Sequence, residues 1–172
     1  MSSSRDQSDV QRLLDVERDV QARVGELEID FESLDVISNI YRAAAAVRRQ
    51  AERSVLAGDN LSFGAFAILW VVWIWGEMET AKLAQECNLA KGTLTGMLNT
   101  LEGQGLIQRD RVESDRRRVT VVLTGEGEAT ISDVFPRFNQ FETEMSHGLT
   151  SDEKRELARL LRIVITNAMS AH

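Results

Sequence analysis

The sequence predicts a mainly α-helical protein with one small β-hairpin. Only one of the 172 residues is proline, while helix-favouring Ala, Leu, Glu and Arg are abundant. Several segments carry apolar residues at spacings of three and four, the period of a helix with one buried side. Two later segments, rich in β-branched and apolar residues, flank a charged tip, which is typical of a hairpin. With 43% apolar and 27% charged residues, the chain resembles an ordinary globular domain that buries its own core.

The predicted elements follow one another with short connections. Apolar residues between Val10 and Leu27 fall on one side of a first, amphipathic helix, which we expect to pack against protein. The third helix is apolar on most faces, so it should be buried centrally. Thr150 and Glu153 have the spacing of a capping box, which predicts the start of the last helix. The predicted helices are 9–27, 32–56, 63–75, 80–87, 91–104, 125–147 and 151–171, and the predicted strands are 106–111 and 118–123.

The sequence indicates no membrane segment and no internal disulfide. No signal peptide is apparent, and the longest apolar run, 65–75, is too short to cross a bilayer. We therefore expect a cytoplasmic protein without membrane contact. The single cysteine, Cys87, cannot form an internal disulfide, and we interpret it as a small buried hydrophobe, with a redox sensor as the alternative.

Charge is segregated along the chain. The net charge is −7, but residues 1–30 hold eight acidic and four basic side chains, a balance of −4. Residues 90–120 hold six basic and four acidic side chains, a balance of +2. Because the cations are grouped, the acidic total does not exclude a nucleic-acid partner.

The two short helices 80–87 and 91–104, followed by the hairpin, predict a winged helix-turn-helix. The second helix would enter the major groove of DNA, so its outward side should be slim and polar. Its candidate groove or phosphate contacts lie off the apolar stripe and are Lys91, Thr93, Thr95 and Asn99.

The hairpin tip supplies the second group of candidate DNA contacts. Arg116, Arg117 and Arg118 stand together, and an arginine at a wing tip can enter a narrow minor groove, where the potential is most negative. Asp115 precedes them, either to orient an arginine or to form the turn.

Residues 61–127 resemble the core of the MarR family of bacterial regulators. The resemblance is carried by KLAQECNLAKGTLTGMLNTLEGQGLIQR, by DRRRVTVVLTGEGE, and most specifically by Asp115-Arg116-Arg117 followed by Leu123-Thr124-x-Gly. The flanking helices also fit, so the resemblance covers nearly all of the chain beyond the first thirty residues.

The resemblance implies a homodimeric transcriptional regulator that binds double-stranded DNA at a palindromic operator, most often as a ligand-responsive repressor. It divides the chain into an N-terminal extension at 1–30, dimerisation helices at 31–60 and 126–172, and a winged helix-turn-helix at 61–125. It assigns Arg117 as the leading wing contact and Asp115 as the residue that orients a wing arginine. Gly96 stands where many relatives have arginine, so base preference cannot be transferred.

Members of this family often bind a small aromatic or lipophilic effector between the dimerisation helices and the winged segment. Apolar walls suit such a ligand. The candidate lining residues are Tyr41, Phe63, Phe66, Trp70 and Trp73, with simple core packing as the alternative. We expect no cofactor and no metal, because His147 has no Cys or His at ligand spacing.

Two other classes of function compete with a DNA-binding regulator. An enzyme is disfavoured, because the sequence has no glycine-rich phosphate loop, no metal-spaced cluster and only two histidines. A helical protein-interaction module that keeps the winged fold without binding DNA is the alternative that the negative net charge and Gly96 leave open.

Overall fold

A computed structural model describes residues 3–111 and 118–170 of the chain. Its helices are α1 (Ser3–Val24), α2 (Phe31–Arg53), α3 (Phe63–Trp75), α4 (Thr80–Glu86), α5 (Lys91–Gly103), α6 (Gly125–Met145) and α7 (Ser151–Ser170). Its strands are β1 (Met78–Glu79), β2 (Ile107–Arg111) and β3 (Val119–Leu123). The predicted fold class, mainly helical with a small hairpin, is confirmed.

The sheet differs from the prediction by one strand. Besides the predicted hairpin, β1 pairs antiparallel with β3, so the strand order is β1-β3-β2. Met78 lies opposite Val121, which in turn lies opposite Arg109 on the other side. A two-residue strand is too short to show an alternating pattern, so β1 could not be predicted from the sequence.

Residues 1–47 form one compact unit, made of α1 and most of α2. Glu17 of α1 accepts a hydrogen bond from Asn39 of α2 at 2.7 Å and lies 3.9 Å from Arg42. None of residues 10–47 is buried, and α1 exposes the apolar side chains of its predicted stripe. The first helix begins at Ser3 rather than at residue 9.

Residues 48–172 form the second unit, whose core is centred on α3. Seven of the thirteen residues of α3 are buried, including Ile68 and Leu69 with no exposed surface, as the apolar pattern predicted. Phe66 stacks on Phe138 of α6, with ring centroids 4.1 Å apart. Burial of this apolar surface is the main term that stabilises the winged segment.

Hydroxyl side chains fix where α3 and α7 begin. Ser62 accepts a hydrogen bond from the N–H of Ala65 at 3.2 Å and so caps α3. Thr150 Oγ1 accepts a bond from the N–H of Glu153 at 3.3 Å, while Glu153 accepts one from the N–H of Thr150 at 2.7 Å. The predicted capping box of α7 is therefore present.

Candidate nucleic-acid interface

Helices α4 and α5 form a helix-turn-helix whose inner side is fully apolar. Leu83 of α4 and Leu94, Leu98 and Leu101 of α5 are buried with 2% exposure or less. The turn between the helices includes Asn88 in the left-handed region, with φ of 49°. Because the leucines fix the rotation of α5, its opposite side must face solvent.

The four predicted contact residues of α5 all lie on that solvent side. Lys91, Thr93, Thr95 and Asn99 are exposed. The hydroxyl of Thr95 donates a hydrogen bond to the carbonyl of Lys91 at 2.9 Å, which leaves its oxygen able to accept. Among the described residues no side chain caps α5, since Ala90 precedes its first turn. The open N–H groups of that turn, together with Lys91, favour an anion such as phosphate.

The wing is the β2–β3 hairpin, which is regular up to its tip. Five residue pairs form its ladder, from Ile107 opposite Leu123 to Arg111 opposite Val119. The predicted tip residues Asp115, Arg116 and Arg117 lie outside the described residues. Arg118 is described, is half exposed, and forms an ion pair with Glu79 of β1. This hydrogen-bonded guanidinium lowers the pKa of Glu79 below its ordinary value.

A second ion pair joins the wing to the recognition helix. The Nε of Arg109, in β2, donates a hydrogen bond to Glu102 Oε2, in the last turn of α5, at 3.1 Å. The pair lowers the pKa of Glu102 and raises that of Arg109, in both cases mainly through this side-chain hydrogen bond. It fixes the root of the wing against the end of α5.

The junction between the wing and α6 is tightly closed. Thr124 Oγ1 donates to the carbonyl of Gly105 at 2.6 Å and accepts from the N–H of Gly127 at 3.0 Å, while its own N–H bonds to the carbonyl of Leu106 at 3.1 Å. A Cβ added at Gly127 would lie 1.9 Å from that carbonyl oxygen of Leu106, so only glycine fits there. One residue, Thr124, therefore joins the end of α5, the hairpin and α6.

Sequence reasoning did not single out Glu79, Glu102 or Arg109 as site residues. Glu79 lies in the strand that the sequence did not reveal, and its partner Arg118 is 39 residues away. Glu102 and Arg109 are seven residues apart across the end of a helix. One sequence signal could have suggested the Glu102–Arg109 pair: an acidic residue at the end of a helix, followed by a basic residue in the next strand.

The aromatic residues predicted to line an effector pocket take part in packing. Phe63 is tilted against Phe138 with centroids 6.1 Å apart, and Trp73 against Phe135 at 5.7 Å. Trp70 meets Trp75 edge to face at 5.6 Å. The remaining two are Phe66, stacked within the core, and Tyr41, which is 73% exposed on α2. Three cavities of the second unit are lined by other residues.

Other predicted features have simple outcomes. Cys87 is half buried, and burial raises the pKa of its thiol to about 11, which disfavours the reactive thiolate.

Within residues 3–111 and 118–170, no group of three or more His, Cys, Asp or Glu side chains is placed to hold a metal ion. No helix of the same residues has the length and apolarity to cross a membrane.

Comparison with known proteins identifies the family. The family model described as "MarR family" matches residues 61–119. The chain is 34% identical over 160 residues to the uncharacterized HTH-type transcriptional regulator YwaE of Bacillus subtilis, covering 91% of this chain and 94% of YwaE. The chain belongs to the MarR family. It is also 31% identical over 127 residues to the HTH-type transcriptional regulator MgrA of Staphylococcus aureus, covering 74% of this chain and 85% of MgrA.

Solved structures share the MarR fold. A mutant MarR of E. coli complexed with operator DNA has a TM-score of 0.71 at 24% identity, covering 77% of this chain and 95% of that one. BpsR of Bordetella bronchiseptica, regulated by 6-hydroxynicotinic acid, has a TM-score of 0.70 at 22% identity, covering 75% and 97%. The organohalide-sensing regulator RdhR-CbdbA1625 in its 2,4-dichlorophenol-bound form has a TM-score of 0.72 at 23% identity, covering 81% and 82%. This chain is thus a member of a family of transcriptional regulators, and the prediction that it is not an enzyme is confirmed.

Proposed function

We propose that this protein is a cytoplasmic transcriptional regulator that binds a palindromic DNA operator as a homodimer and releases it in response to a small aromatic or lipophilic effector. Repression is the expected mode. The observation that carries the proposal is the exposed polar side of α5, which lies beside the arginine-bearing root of a regular hairpin.

The chemistry of this surface suits duplex DNA. Lys91 and the open first turn of α5 would bind phosphate, while Thr95 and Asn99 would reach base edges in the major groove. Arg118 would contact the backbone beside the wing, exchanging its Glu79 partner for phosphate. A mutant MarR of E. coli, whose structure was solved in complex with operator DNA, supports DNA as the partner of this fold.

The exposed apolar residues support a homodimer. In α7, Leu157, Leu160 and Ile163 are each 45% to 48% exposed, and α1 exposes a similar stripe. Apolar surface of this extent is normally covered by protein. A twofold dimer would place two recognition helices about one DNA turn, roughly 34 Å, apart on a palindromic site.

The effector proposal is supported by relatives. The ligands named for BpsR and RdhR-CbdbA1625 are small aromatic molecules that carry a hydroxyl group. A ligand that binds one separation of the two recognition helices better than another would shift the dimer between operator-bound and free forms.

The DNA proposal is tested by selecting operator sequences from a random duplex pool at controlled salt and measuring affinity by gel shift. Lys91→Ala should weaken binding to all sequences and reduce the salt slope by about one unit per subunit. Thr95→Ala should instead relax discrimination between selected and unrelated sequences. Lys154→Ala, at the start of α7, removes the same charge as Lys91→Ala and should change neither property.

Failure to enrich any sequence at low salt would contradict the DNA proposal and would favour the protein-interaction module instead. If wild type and Lys91→Ala bind DNA with equal affinity at every salt concentration, the start of α5 is not part of the DNA interface.

A further inference from the structure

We propose that the cavity enclosed by the end of α2, the start of α3 and the recognition helix α5 is a ligand site for a small organic cation with an apolar body. We refer to it as the α2–α5 cavity. It lies wholly within the second unit and differs from the predicted aromatic pocket, since none of the five aromatic residues lines it.

The size and walls of the α2–α5 cavity suit a ligand with a single ring. Its volume is about 380 Å³, within the range of small-molecule sites. Leu61, Ala65 and Met97 form its apolar side. The thioether of Met97 lies directly against α3, because a Cβ added at Gly64 would come within 2.6 Å of its terminal methyl. Methionine adapts its shape readily, so this wall can adjust to a bound ring.

The polar groups of the cavity include acceptors with unused capacity. The carboxylate of Glu52 accepts the N–H of Phe63 through Oε1 at 3.0 Å, and within the described chain its Oε2 has no hydrogen bond. Thr100 donates its hydroxyl hydrogen to the carbonyl of Gly96 at 3.2 Å, which leaves its oxygen free to accept. The side-chain amides of Asn60 and Gln104 also line the cavity, and in the described residues neither forms a hydrogen bond.

The charge of the α2–α5 cavity favours a cation. Among the described residues, Glu52 is the only ionisable side chain that lines it. The C-terminal ends of α2 and α5 meet there, and the negative ends of both helix dipoles add to its charge. The N-terminus of α3 opposes them, but its first N–H groups are already bonded to Glu52 and Ser62.

Arg48, the neighbouring cation, leaves the carboxylate of Glu52 able to accept hydrogen bonds from a ligand. Arg48 Nε lies 4.0 Å from Glu52 Oε1, too far for a strong hydrogen bond, and its guanidinium rests over the ring of Phe63 at 5.5 Å. A ligand with a planar pair of N–H donors could bond both oxygens of the carboxylate at shorter distance.

Such a ligand would act on the recognition helix directly. Thr100 and Gln104 lie at the end of α5, whereas Glu52 belongs to α2, so a ligand between them would couple the position of α5 to α2. This regulatory role rests on the proposed function, although the ligand site itself does not. The acid named for BpsR would be repelled here by Glu52, so this chain would respond to a base instead.

The test compares three probes of equal shape and different charge: benzamidine, benzamide and benzoate. Each is titrated into full-length, DNA-free protein and followed by NMR. Benzamidine should shift the signals of Asn60, Thr100 and Gln104 in a saturable way. Benzamide, which lacks the charge, should bind at least about tenfold more weakly, and benzoate should leave these signals unchanged.

Two variants and a control locate the site. Glu52→Gln keeps an acceptor for the N–H of Phe63 but removes the charge, and should weaken benzamidine binding about tenfold. Ala57→Trp, an exposed substitution at the rim, should fill the cavity and abolish binding. Glu86→Gln removes a carboxylate from the end of α4, which does not line the cavity, and should bind like wild type. Thermal unfolding checks that each variant is folded.

Equal binding of benzoate and benzamidine, unchanged affinity in Glu52→Gln, or signal changes confined to residues away from the cavity would each overturn the proposal. The wild-type probe series decides the charge preference even where a variant fails to fold. Gel shift with the selected operator is measured separately, so loss of DNA binding in every sample would refute the proposed function while the ligand result stands.

Discussion

Helices α3 and α7 are both rich in apolar residues, but only α3 buries them within its own chain. Seven residues of α3 are buried, whereas none of residues 151–170 in α7 is. Leu157 and Leu160 of α7 stand about half exposed on a helix that is otherwise strongly charged. The winged segment is therefore complete in one chain, while α7 has an apolar side that another surface must cover. The stability of the winged segment should therefore depend on packing within one chain, whereas the stability of α7 should depend on assembly with another surface.

The largest expected effect is that of Gly127→Ala, at the junction between the wing and α6. The new Cβ would collide with the backbone carbonyl of Leu106, which cannot rotate away as a side chain could. We expect a loss of about 3 kcal/mol or more in the free energy of unfolding, measured by chemical denaturation.

Gly125→Ala is the matched control, because a Cβ there meets nothing within 4 Å. Its unfolding free energy should stay close to that of wild type. Equal stability of the two variants would show that the junction at Leu106 is looser than its contacts indicate.

Cys87 reports how well the core of the winged segment is closed. With a thiol pKa of about 11, on the order of 0.1% of the side chain is thiolate at pH 8. Alkylation by iodoacetamide in the native protein should therefore be roughly a hundredfold slower than in the denatured chain. Mass spectrometry follows the alkylation. Equal alkylation rates in the native and denatured chains would contradict the interpretation of Cys87 as a buried hydrophobe and would favour a redox sensor.

Leu160→Asp tests whether assembly covers α7. A carboxylate on the apolar side would have to be desolvated in the dimer, so we expect the dimer to weaken by about 2 kcal/mol, roughly thirtyfold in dissociation constant. Analytical ultracentrifugation measures this change. Arg155→Asp, on a strongly exposed side chain of the same helix, should leave the dimer intact. If Leu160→Asp sediments like wild type, the apolar side of α7 is not the dimer contact.

The smallest effect concerns the Glu102–Arg109 pair on the surface of the winged segment. The pKa of Glu102 is lowered below its ordinary 4.5, so its contribution to stability is present above pH 4.5 and is lost as the pH falls through the lowered value. Thermal unfolding of wild type and Glu102→Gln should therefore differ slightly near neutral pH and converge in acid. If the difference in thermal stability between wild type and Glu102→Gln does not change with pH, it arises from packing and not from the ion pair.

Much of this fold could be predicted because its elements follow local rules. The apolar stripe of α5, the capping box at Thr150 and the apolar run of α3 depend only on residues close in sequence. The exposure of Lys91, Thr93, Thr95 and Asn99 follows from the same stripe, since the buried leucines decide which side faces out.

The features that sequence did not reveal depend on distant pairs. Strand β1 exists because Met78 and Glu79 find partners more than forty residues later. The α2–α5 cavity brings Glu52 beside Gln104, a juxtaposition that no periodicity encodes. The aromatic effector site stays a prediction, because ring residues suit a ligand pocket and a packed core equally well in sequence.

Thr124 has a consequence for how such a protein can change its operator. Because its three hydrogen bonds join α5, the hairpin and the first turn of α6, the reading surface is attached to α6 as one piece. In the proposed homodimer, operators with a different distance between half-sites could then be matched by changes in the predicted dimerisation helices. The residues proposed to touch bases need not change, so spacing and sequence preference can evolve independently.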